Sequence, residues 1–202
     1  MLRFYYHPFS TFAWRVHVAL LEKQIPHEKV LIDLPARQQR EPAFLAMNPY
    51  GRVPAIDDDG FVLYESAAIL MYLEETRPAH PLLPGGAQGK ALVDMHLRLC
   101  DVQLAPQARA IIFPKRFLPP EQWNAQVFSA ARPEIETHLN MVAGVLQGRD
   151  YLVGDSFSLA DIAYLPFLHF LPLMEVAVPP PVAAWSQRVL SRPSAQATIP
   201  AR

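Results

Sequence analysis

Residues 48–69 read NPYGRVPAIDDDGFVLYESAAI, the most specific pattern in the chain. Two short apolar runs, Ala55–Asp57 and Phe61–Tyr64, flank the turn sequence Asp58-Asp59-Gly60. Asp and Gly in a short turn accept the backbone conformation of a tight β-hairpin, so the pattern predicts two antiparallel strands. Ser66 then begins a run with apolar residues at helical spacing to about Thr76, which predicts a helix directly after the hairpin.

The residues before this stretch alternate between strand-like and helix-like patterns. Leu2–Tyr6 and His27–Ile32 predict strands, and Phe12–Lys23 between them has one apolar helical face. A short helix over Glu41–Met47 completes the order β-α-β-α-β-β-α. Strand, helix, strand implies a parallel pair with a right-handed crossover. We therefore expect a thioredoxin-like domain, with a four-stranded mixed sheet and helices on both faces.

The second half of the chain has a different sequence pattern. Residues 78–89 are rich in Pro and Gly and predict a linker, so the expected division is 1–77, 78–89 and 90–202. Beyond the linker the pattern is all-helical, and Pro106 is expected to kink the first helix. The four predicted helices are Lys90–Ile112, Gln122–Leu146, Leu159–Phe170 and Val182–Leu190.

Composition excludes several classes of function. The 202 residues carry 18 basic and 19 acidic side chains, a net charge of −1 without a basic patch for nucleic acid or an anionic membrane. Cys100 is the one cysteine, which excludes an internal disulfide. No apolar run reaches the length of a membrane span, and no signal peptide is evident, so we expect a cytoplasmic protein. The seven histidines are scattered, and we expect no metal site.

Three stretches together resemble the cytosolic glutathione transferase superfamily, closest to its serine-type, phi- or theta-like classes. The first is Tyr6-His7-Pro8-Phe9-Ser10-Thr11 with Arg15-Val16, the second is residues 48–69, and the third is Phe157–Ala163 with Ala184-Trp185 and Arg192-Pro193. They occur in the family's order and span nearly the whole chain. The resemblance implies a glutathione transferase that presents the glutathione thiolate to a small, apolar electrophile. Its alternative is a non-catalytic member that acts as a binding or regulatory module.

The resemblance also implies where glutathione binds. Val53-Pro54 corresponds to a cis-proline loop whose main chain pairs with the cysteinyl backbone of glutathione, as an added strand would. Glu65 and Ser66 would bind the γ-glutamyl group, because a helix N-terminus and a hydroxyl hold its carboxylate while Glu65 faces its ammonium. Arg52 replaces the glutamine usual before the Val-Pro pair and is a further candidate contact.

Ser10 is the candidate for activating the thiol, because it follows the first strand and begins the first helix. The resemblance places two competitors nearby: Tyr6, at the position used by tyrosine-type classes, and Thr11. Where thioredoxins carry Cys-x-x-Cys, this chain reads Ser10-Thr11-Phe12-Ala13, which excludes dithiol chemistry. The reacting group is then the thiol of glutathione, a co-substrate, and no metal is implied.

The remaining predictions concern less constrained positions. Phe9, Phe12 and Phe113 are candidates for the second-substrate pocket, although aromatic residues at such positions are also common core residues. Tyr50, between Pro49 and Gly51, resembles the aromatic key that some classes insert into a partner, and we expect a homodimer. The residue that would hold the glycyl carboxylate remains open, and its candidates are Arg37 and Arg40.

Overall fold

The computed structural model describes residues 1–200 and divides the chain into two compact units. One unit comprises Met1–Leu82 together with the stretch from Pro193 onward, and the other comprises Leu83–Arg192. The strands are β1 (Leu2–Tyr6), β2 (His27–Leu31), β3 (Ala55–Asp58) and β4 (Phe61–Tyr64). The α-helices are α1 (Thr11–Glu22), α2 (Pro42–Met47), α3 (Ser66–Thr76), α4 (Gly86–Leu99), α5 (Ala105–Phe117), α6 (Ala125–Val145), α7 (Leu159–His169), α8 (Leu171–Met174), α9 (Pro180–Leu190) and α10 (Pro193–Gln196).

The first unit contains the predicted four-stranded mixed sheet, in the order β2-β1-β3-β4. Strand β1 runs parallel to β2 and antiparallel to β3, and β3 pairs with β4 as the predicted hairpin. Asp59 (φ 52°) and Gly60 (φ 97°) both take positive φ in the hairpin turn. A two-residue turn with this backbone matches the twist of the strands that it joins. The thioredoxin-like fold class is confirmed for this unit.

Helices cover both faces of this sheet. On one face, Leu2 and Phe4 of β1 pack with apolar residues of α1 and α3. On the other face, Phe44 of α2 packs with Val53 and Ala55. Side chains alternate between the two faces along a strand, so β1 contributes to both cores. The central strands β1 and β3 are therefore covered on both faces, whereas the outer strands β2 and β4 are partly exposed. Functional groups of the central strands must lie at the strand ends.

A buried ion pair holds the end of α1 against the segment that follows α3. Lys23 Nζ lies 2.7 Å from Glu74 Oε2, and both side chains are buried. The Lys23 ammonium also donates to the carbonyl oxygens of Ala79 and His80, and Glu74 accepts the N–H of Leu82. Each charge thus has several hydrogen-bonding partners, as burial of an ion pair requires.

The C-terminal stretch returns to the first unit. The Trp14 indole N–H donates to Thr198 Oγ1 at 2.7 Å, and the Ser194 hydroxyl donates to Glu22 Oε1. These contacts hold α10 and Thr198 against α1. Here the structure differs from the sequence-based division, which grouped everything after residue 90 in the helical half.

The described residues of the second unit form helices and connecting loops, with no strand. Helix α4 begins at Gly86, so the end of the predicted linker is already helical. The predicted helix Lys90–Ile112, which was expected to kink at Pro106, is divided in the structure just before that proline. Cys100–Leu104 forms a π-helical turn in which the Ala105 N–H donates to the Cys100 carbonyl. The wider turn accommodates a proline, which has no N–H for the α-helical ladder.

Buried Asp161 organises the centre of the second unit. Ser158 caps α7, and the Asp161 carboxylate accepts from the Ser158 N–H and hydroxyl at 2.9 Å, as a capping box does. The same carboxylate accepts from the Leu152 N–H and the Trp185 indole, which links α7 to the preceding loop and to α9. Burial raises the pKa of Asp161, and these hydrogen bonds oppose that shift.

Two histidines are buried beside Tyr164 in this unit. His138 stacks on the Tyr164 ring, its Nε2 lies 3.1 Å from the Tyr164 hydroxyl oxygen, and His96 packs edge-on to the same ring. Neither Nδ1 atom has a hydrogen-bonding partner. Burial lowers the pKa of His138 to about 4 and also lowers the pKa of His96. Both imidazoles are therefore neutral in the folded chain near neutral pH.

We predict that acid destabilises the chain through this histidine pair. Unfolded His138 takes up its proton near the ordinary value of 6.5, whereas folded His138 does so only near pH 4. The free energy of unfolding therefore falls between pH 6.5 and 4 and levels off below pH 4. The loss from this group is about 3 kcal/mol. Chemical denaturation across this range should show a smaller loss for His138→Gln. His80→Asn, at an exposed loop histidine, is the control, and equal pH dependence in all three proteins would refute the assignment.

Candidate functional site

The register of the sheet brings three of the predicted site segments to the same end of the sheet. Tyr5 of β1 lies opposite Ala55 of β3, which lies opposite Tyr64 of β4. The turn after β1, the residues before β3 and the residues after β4 therefore meet at the same end of the sheet. These are the segments that carry Ser10, Val53-Pro54 and Glu65-Ser66.

Ser10 is the N-cap of α1, as the sequence predicted for the start of this helix. Its backbone is extended, and its Oγ accepts the Ala13 N–H at 3.1 Å. The Ser10 hydroxyl donates to the Val53 carbonyl oxygen at 3.4 Å, a long and weak bond. A hydroxyl has one donor and two acceptor lone pairs, so capping the helix leaves its O–H available. Ser10 can therefore cap α1 and donate to a bound group at once.

The loop before β3 has the cis Val53-Pro54 bond that the resemblance implied. Buried Asn48 holds this loop, because its side-chain amide donates to the Arg52 carbonyl at 2.7 Å and accepts the Tyr50 N–H at 3.1 Å. Gly51 has φ 58°, and a Cβ there would lie 2.7 Å from the Gln39 carbonyl oxygen. This role of Asn48 was not predicted from the sequence. A short polar side chain three residues before a glycine, able to accept the N–H two residues ahead, is the signal that could have identified it.

Helix α3 begins with Ser66 at this end of the sheet. Glu65 is the N-cap residue, with an exposed side chain and a φ of 74°, so Ser66 is the first helical residue and not the cap. A non-glycine residue with such a backbone is strained and is found most often at functional sites. Ser66 is buried at the N-terminus of α3, where the first N–H groups of a helix have no partner within the helix.

Arg15 is a buried charged residue that contacts Ser66. Its guanidinium is fully buried, lies 4.7 Å from the centre of the Phe12 ring and donates through Nη1 to Ser66 Oγ at 3.4 Å. Since Arg15 lies on α1, it connects the helix capped by Ser10 to the helix that begins at Ser66. Arg15 belongs to a sequence motif, but its place at the site was not predicted because its contact with Ser66 spans 51 residues.

The two competitors of Ser10 occupy different surroundings. Thr11 is the first residue of α1 and is buried. Tyr6 is half-buried at the end of β1, where its ring stacks on Phe4 and packs against His17. Of the three hydroxyls, the Ser10 hydroxyl is the one bonded to the Val53 main chain.

The remaining candidate residues differ in their exposure and in the unit that contains them. Phe9 and Phe12 are half-buried in the first unit, and Phe113 is 52% exposed on α5 of the second unit. Tyr50 is 61% exposed, with its ring 6.1 Å from that of Tyr64. Arg52 is exposed next to the cis bond. Arg37 and Arg40 are exposed in the loop before α2, where Arg40 donates to the Tyr50 carbonyl oxygen.

Residues 1–200 contain no group of three or more His, Cys, Asp or Glu side chains placed to hold a metal ion. Within the same residues, no helix combines the length and apolar character needed to cross a membrane.

Comparisons with known proteins agree with this arrangement. Residues 9–76 match the glutathione S-transferase N-terminal domain, and residues 107–193 match the glutathione S-transferase C-terminal domain. Maleylacetoacetate isomerase of Mus musculus is 35% identical over 160 residues, 78% of this chain and 72% of that protein. Glutathione S-transferase 4 of Zea mays is 32% identical over 192 residues, 92% of this chain and 86% of that protein. The crystal structure of glutathione transferase F2 from Populus trichocarpa superposes with a TM-score of 0.90 at 25% identity, covering 98% of this chain and 97% of that one.

A thioredoxin-like unit followed by a helical unit, with a serine-capped first helix beside a cis-proline loop, defines a class of glutathione-dependent proteins. The chain belongs to the glutathione S-transferase family. The predicted family and the predicted function, an enzyme of the glutathione transferase type, are thereby confirmed.

Proposed function

We propose that Ser10 activates the thiol of bound glutathione, so that the thiolate attacks a small electrophilic, apolar substrate. The observation that carries this proposal is the contact between Ser10 Oγ and the Val53 carbonyl at the N-terminus of α1. A glutathione peptide paired with the Val53 main chain would bring its cysteinyl sulfur to this hydroxyl. The weak bond to Val53 would then be exchanged for a bond from the Ser10 O–H to sulfur.

Ser10 acts in this proposal as a hydrogen-bond donor and not as a base. A serine hydroxyl does not accept a proton at neutral pH, so the thiol proton leaves to solvent and the thiolate remains. Lowering the thiol pKa by about two units requires about 2.7 kcal/mol. A hydrogen bond to a charged acceptor contributes about 1.5–3 kcal/mol, and a helix N-terminus about 0.3–2 kcal/mol. Together they account for the shift without a general base.

The anchoring of glutathione rests on the start of α3. The N-terminus of α3 and the Ser66 hydroxyl offer donors to the γ-glutamyl carboxylate, and exposed Glu65 offers a counter-charge to its ammonium. Because Arg15 donates to Ser66 Oγ, the Ser66 hydrogen is directed away from Arg15 and toward the ligand. We further propose that Arg52 contacts the peptide next to Val53.

The second substrate would meet the thiolate near Phe9 and Phe12, with Phe113 as the third candidate for its pocket. The polar groups retained at the glutathione site favour an enzyme over a non-catalytic binding module. One relative is named as an isomerase, and isomerisation uses the same thiolate as conjugation. A panel that includes both conjugation and isomerisation substrates would distinguish the two reactions.

We also propose a cytoplasmic homodimer. Tyr50, Phe61 and Val62 are exposed in the first unit, and Leu92, Met95 and Val102 are exposed along one side of α4 and the π turn. Apolar side chains that line one side of a helix and remain exposed mark a surface for another protein. A second copy of the chain is the partner that the family resemblance implies.

The thiol-activation proposal predicts a specific ranking of three variants. Ser10→Ala should raise the pKa of the bound thiol by about one to two units, because it removes about 1.4–2.7 kcal/mol of thiolate stabilisation. Turnover at neutral pH should fall accordingly, with little change in glutathione affinity. Thiolate absorbance titration of Ser10→Ala, Thr11→Ala and Tyr6→Phe with bound glutathione tests this. If Tyr6→Phe produces the shift and Ser10→Ala does not, the serine-type assignment is wrong.

The anchoring proposal predicts an effect on binding rather than on chemistry. Glu65→Ala and Ser66→Ala should each weaken glutathione binding about tenfold to a hundredfold, since each removes a charge-assisted contact of about 1.5–3 kcal/mol. Turnover at saturating glutathione should change less, because both contacts lie far from sulfur. Calorimetry measures the affinities, with His27→Leu in β2 as the control. Wild-type affinity in both variants would remove this assignment.

The homodimer proposal is tested by sedimentation at micromolar protein. We expect a dimer, weakened by Tyr50→Ala and by Met95→Glu, which places a charge on the apolar side of α4. Met141→Ala, at an exposed residue of α6, should leave the dissociation constant unchanged. A wild-type monomer would refute the assembly. A dimer insensitive to Tyr50→Ala would remove Tyr50 from the interface.

A further inference from the structure

The turn between β1 and α1 is held by one side chain, His7. The Phe9 N–H donates to His7 Nδ1 at 3.0 Å, and the Ser10 N–H donates to the His7 carbonyl oxygen at 3.0 Å. Pro8 has no N–H. His7 therefore accepts a hydrogen bond from each of the two N–H groups between it and α1, one at its ring nitrogen and one at its carbonyl oxygen.

These bonds require a particular form of the His7 ring. An imidazole nitrogen accepts a hydrogen bond only when it is unprotonated, so Nδ1 must be the bare nitrogen and any ring proton must lie on Nε2. The side chain is 7% exposed. Burial lowers the pKa of His7, while the charge of Asp33 acts in the opposite direction. The surroundings therefore favour the neutral ring that the bond needs.

An open cavity of about 160 Å³ lies beside this turn within the first unit. Its lining includes Tyr6, His7, Pro8 and Ser10, with Trp14 and residues 197–200 among the others. Side chains next to open space lose the contacts that would otherwise fix their position. The hydrogen bond to the His7 ring is therefore one of the constraints on the Ser10 backbone, together with the bond from the Ala13 N–H to Ser10 Oγ.

We propose that His7 is a positioning residue that acts through Ser10. Its ring fixes the Phe9 main chain, which fixes the Ser10 backbone and so the direction of the Ser10 hydroxyl. This inference rests on the proposed role of Ser10 at the thiol.

The test compares His7→Asn with His7→Leu. Asn and Leu have the same branched shape, but the Asn side-chain oxygen can accept the N–H two residues ahead, as it does in an Asx turn. Both variants lose the ring equally, so a difference between them reports the acceptor alone. His7→Phe keeps a ring without the acceptor, and His27→Leu removes a histidine elsewhere in the same unit.

We expect His7→Leu and His7→Phe to raise the pKa of the bound glutathione thiol by about one unit, which lowers the thiolate fraction about tenfold at pH values below that pKa. Turnover should fall by a similar factor, while the Kd for glutathione stays within about twofold. His7→Asn should restore most of the wild-type thiol pKa. Equal thiol pKa values in the Asn and Leu variants, or a wild-type value in His7→Leu, would overturn the proposal.

A second measurement separates this inference from the proposed function. Amide hydrogen exchange at Phe9, measured without glutathione, should be fast in His7→Leu and slow in the wild type and in His7→Asn. If the wild type fails to bind glutathione, the proposed function fails, and the exchange rates still show whether His7 holds the turn. If exchange at Phe9 is the same in all variants, the turn does not depend on the ring and the inference is wrong.

Discussion

Strand β1 is hydrogen-bonded along both of its edges, to β2 on one side and β3 on the other. This double pairing fixes where the chain leaves the sheet after Tyr6 and therefore where α1 begins. The row Tyr5, Ala55 and Tyr64 sets the ends of three strands level with one another. A shift of one residue in either antiparallel pair would turn the side chains of that strand to the opposite face and separate the site segments.

Two side-chain hydroxyls join the segments of the candidate site. Ser10 caps α1 through a lone pair and donates its O–H to the Val53 carbonyl oxygen, which links the start of this helix to the cis-proline loop. Ser66 stands at the start of α3 and accepts from buried Arg15, which links α3 to α1. Two helix N-termini thus lie at the same end of the sheet, and a helix N-terminus favours a negatively charged group.

Much of this arrangement is readable from local sequence, and the rest depends on contacts between distant residues. The hairpin at Asp59-Gly60, the cap at Ser10 and the capping box at Ser158 each depend on residues within a few positions of one another. The place of Arg15 at the site was not predicted because its partner Ser66 is 51 residues away. The packing of the C-terminal stretch on the first unit was not predicted because Trp14 and Thr198 are 184 residues apart. The π turn before Pro106 was missed because a proline in a helical pattern indicates a disturbance without specifying its geometry.

The return of the C-terminal stretch has a consequence for biosynthesis. A ribosome releases the sheet and α1 first, at about 5–20 residues per second, and the stretch from Pro193 onward only after the whole helical unit. The Trp14 indole and the Glu22 carboxylate are therefore synthesised about 9–34 s before their partners Thr198 and Ser194, and until then they lack these hydrogen bonds. The unit that begins at the first residue is thus the last of the two to be completed in the cell.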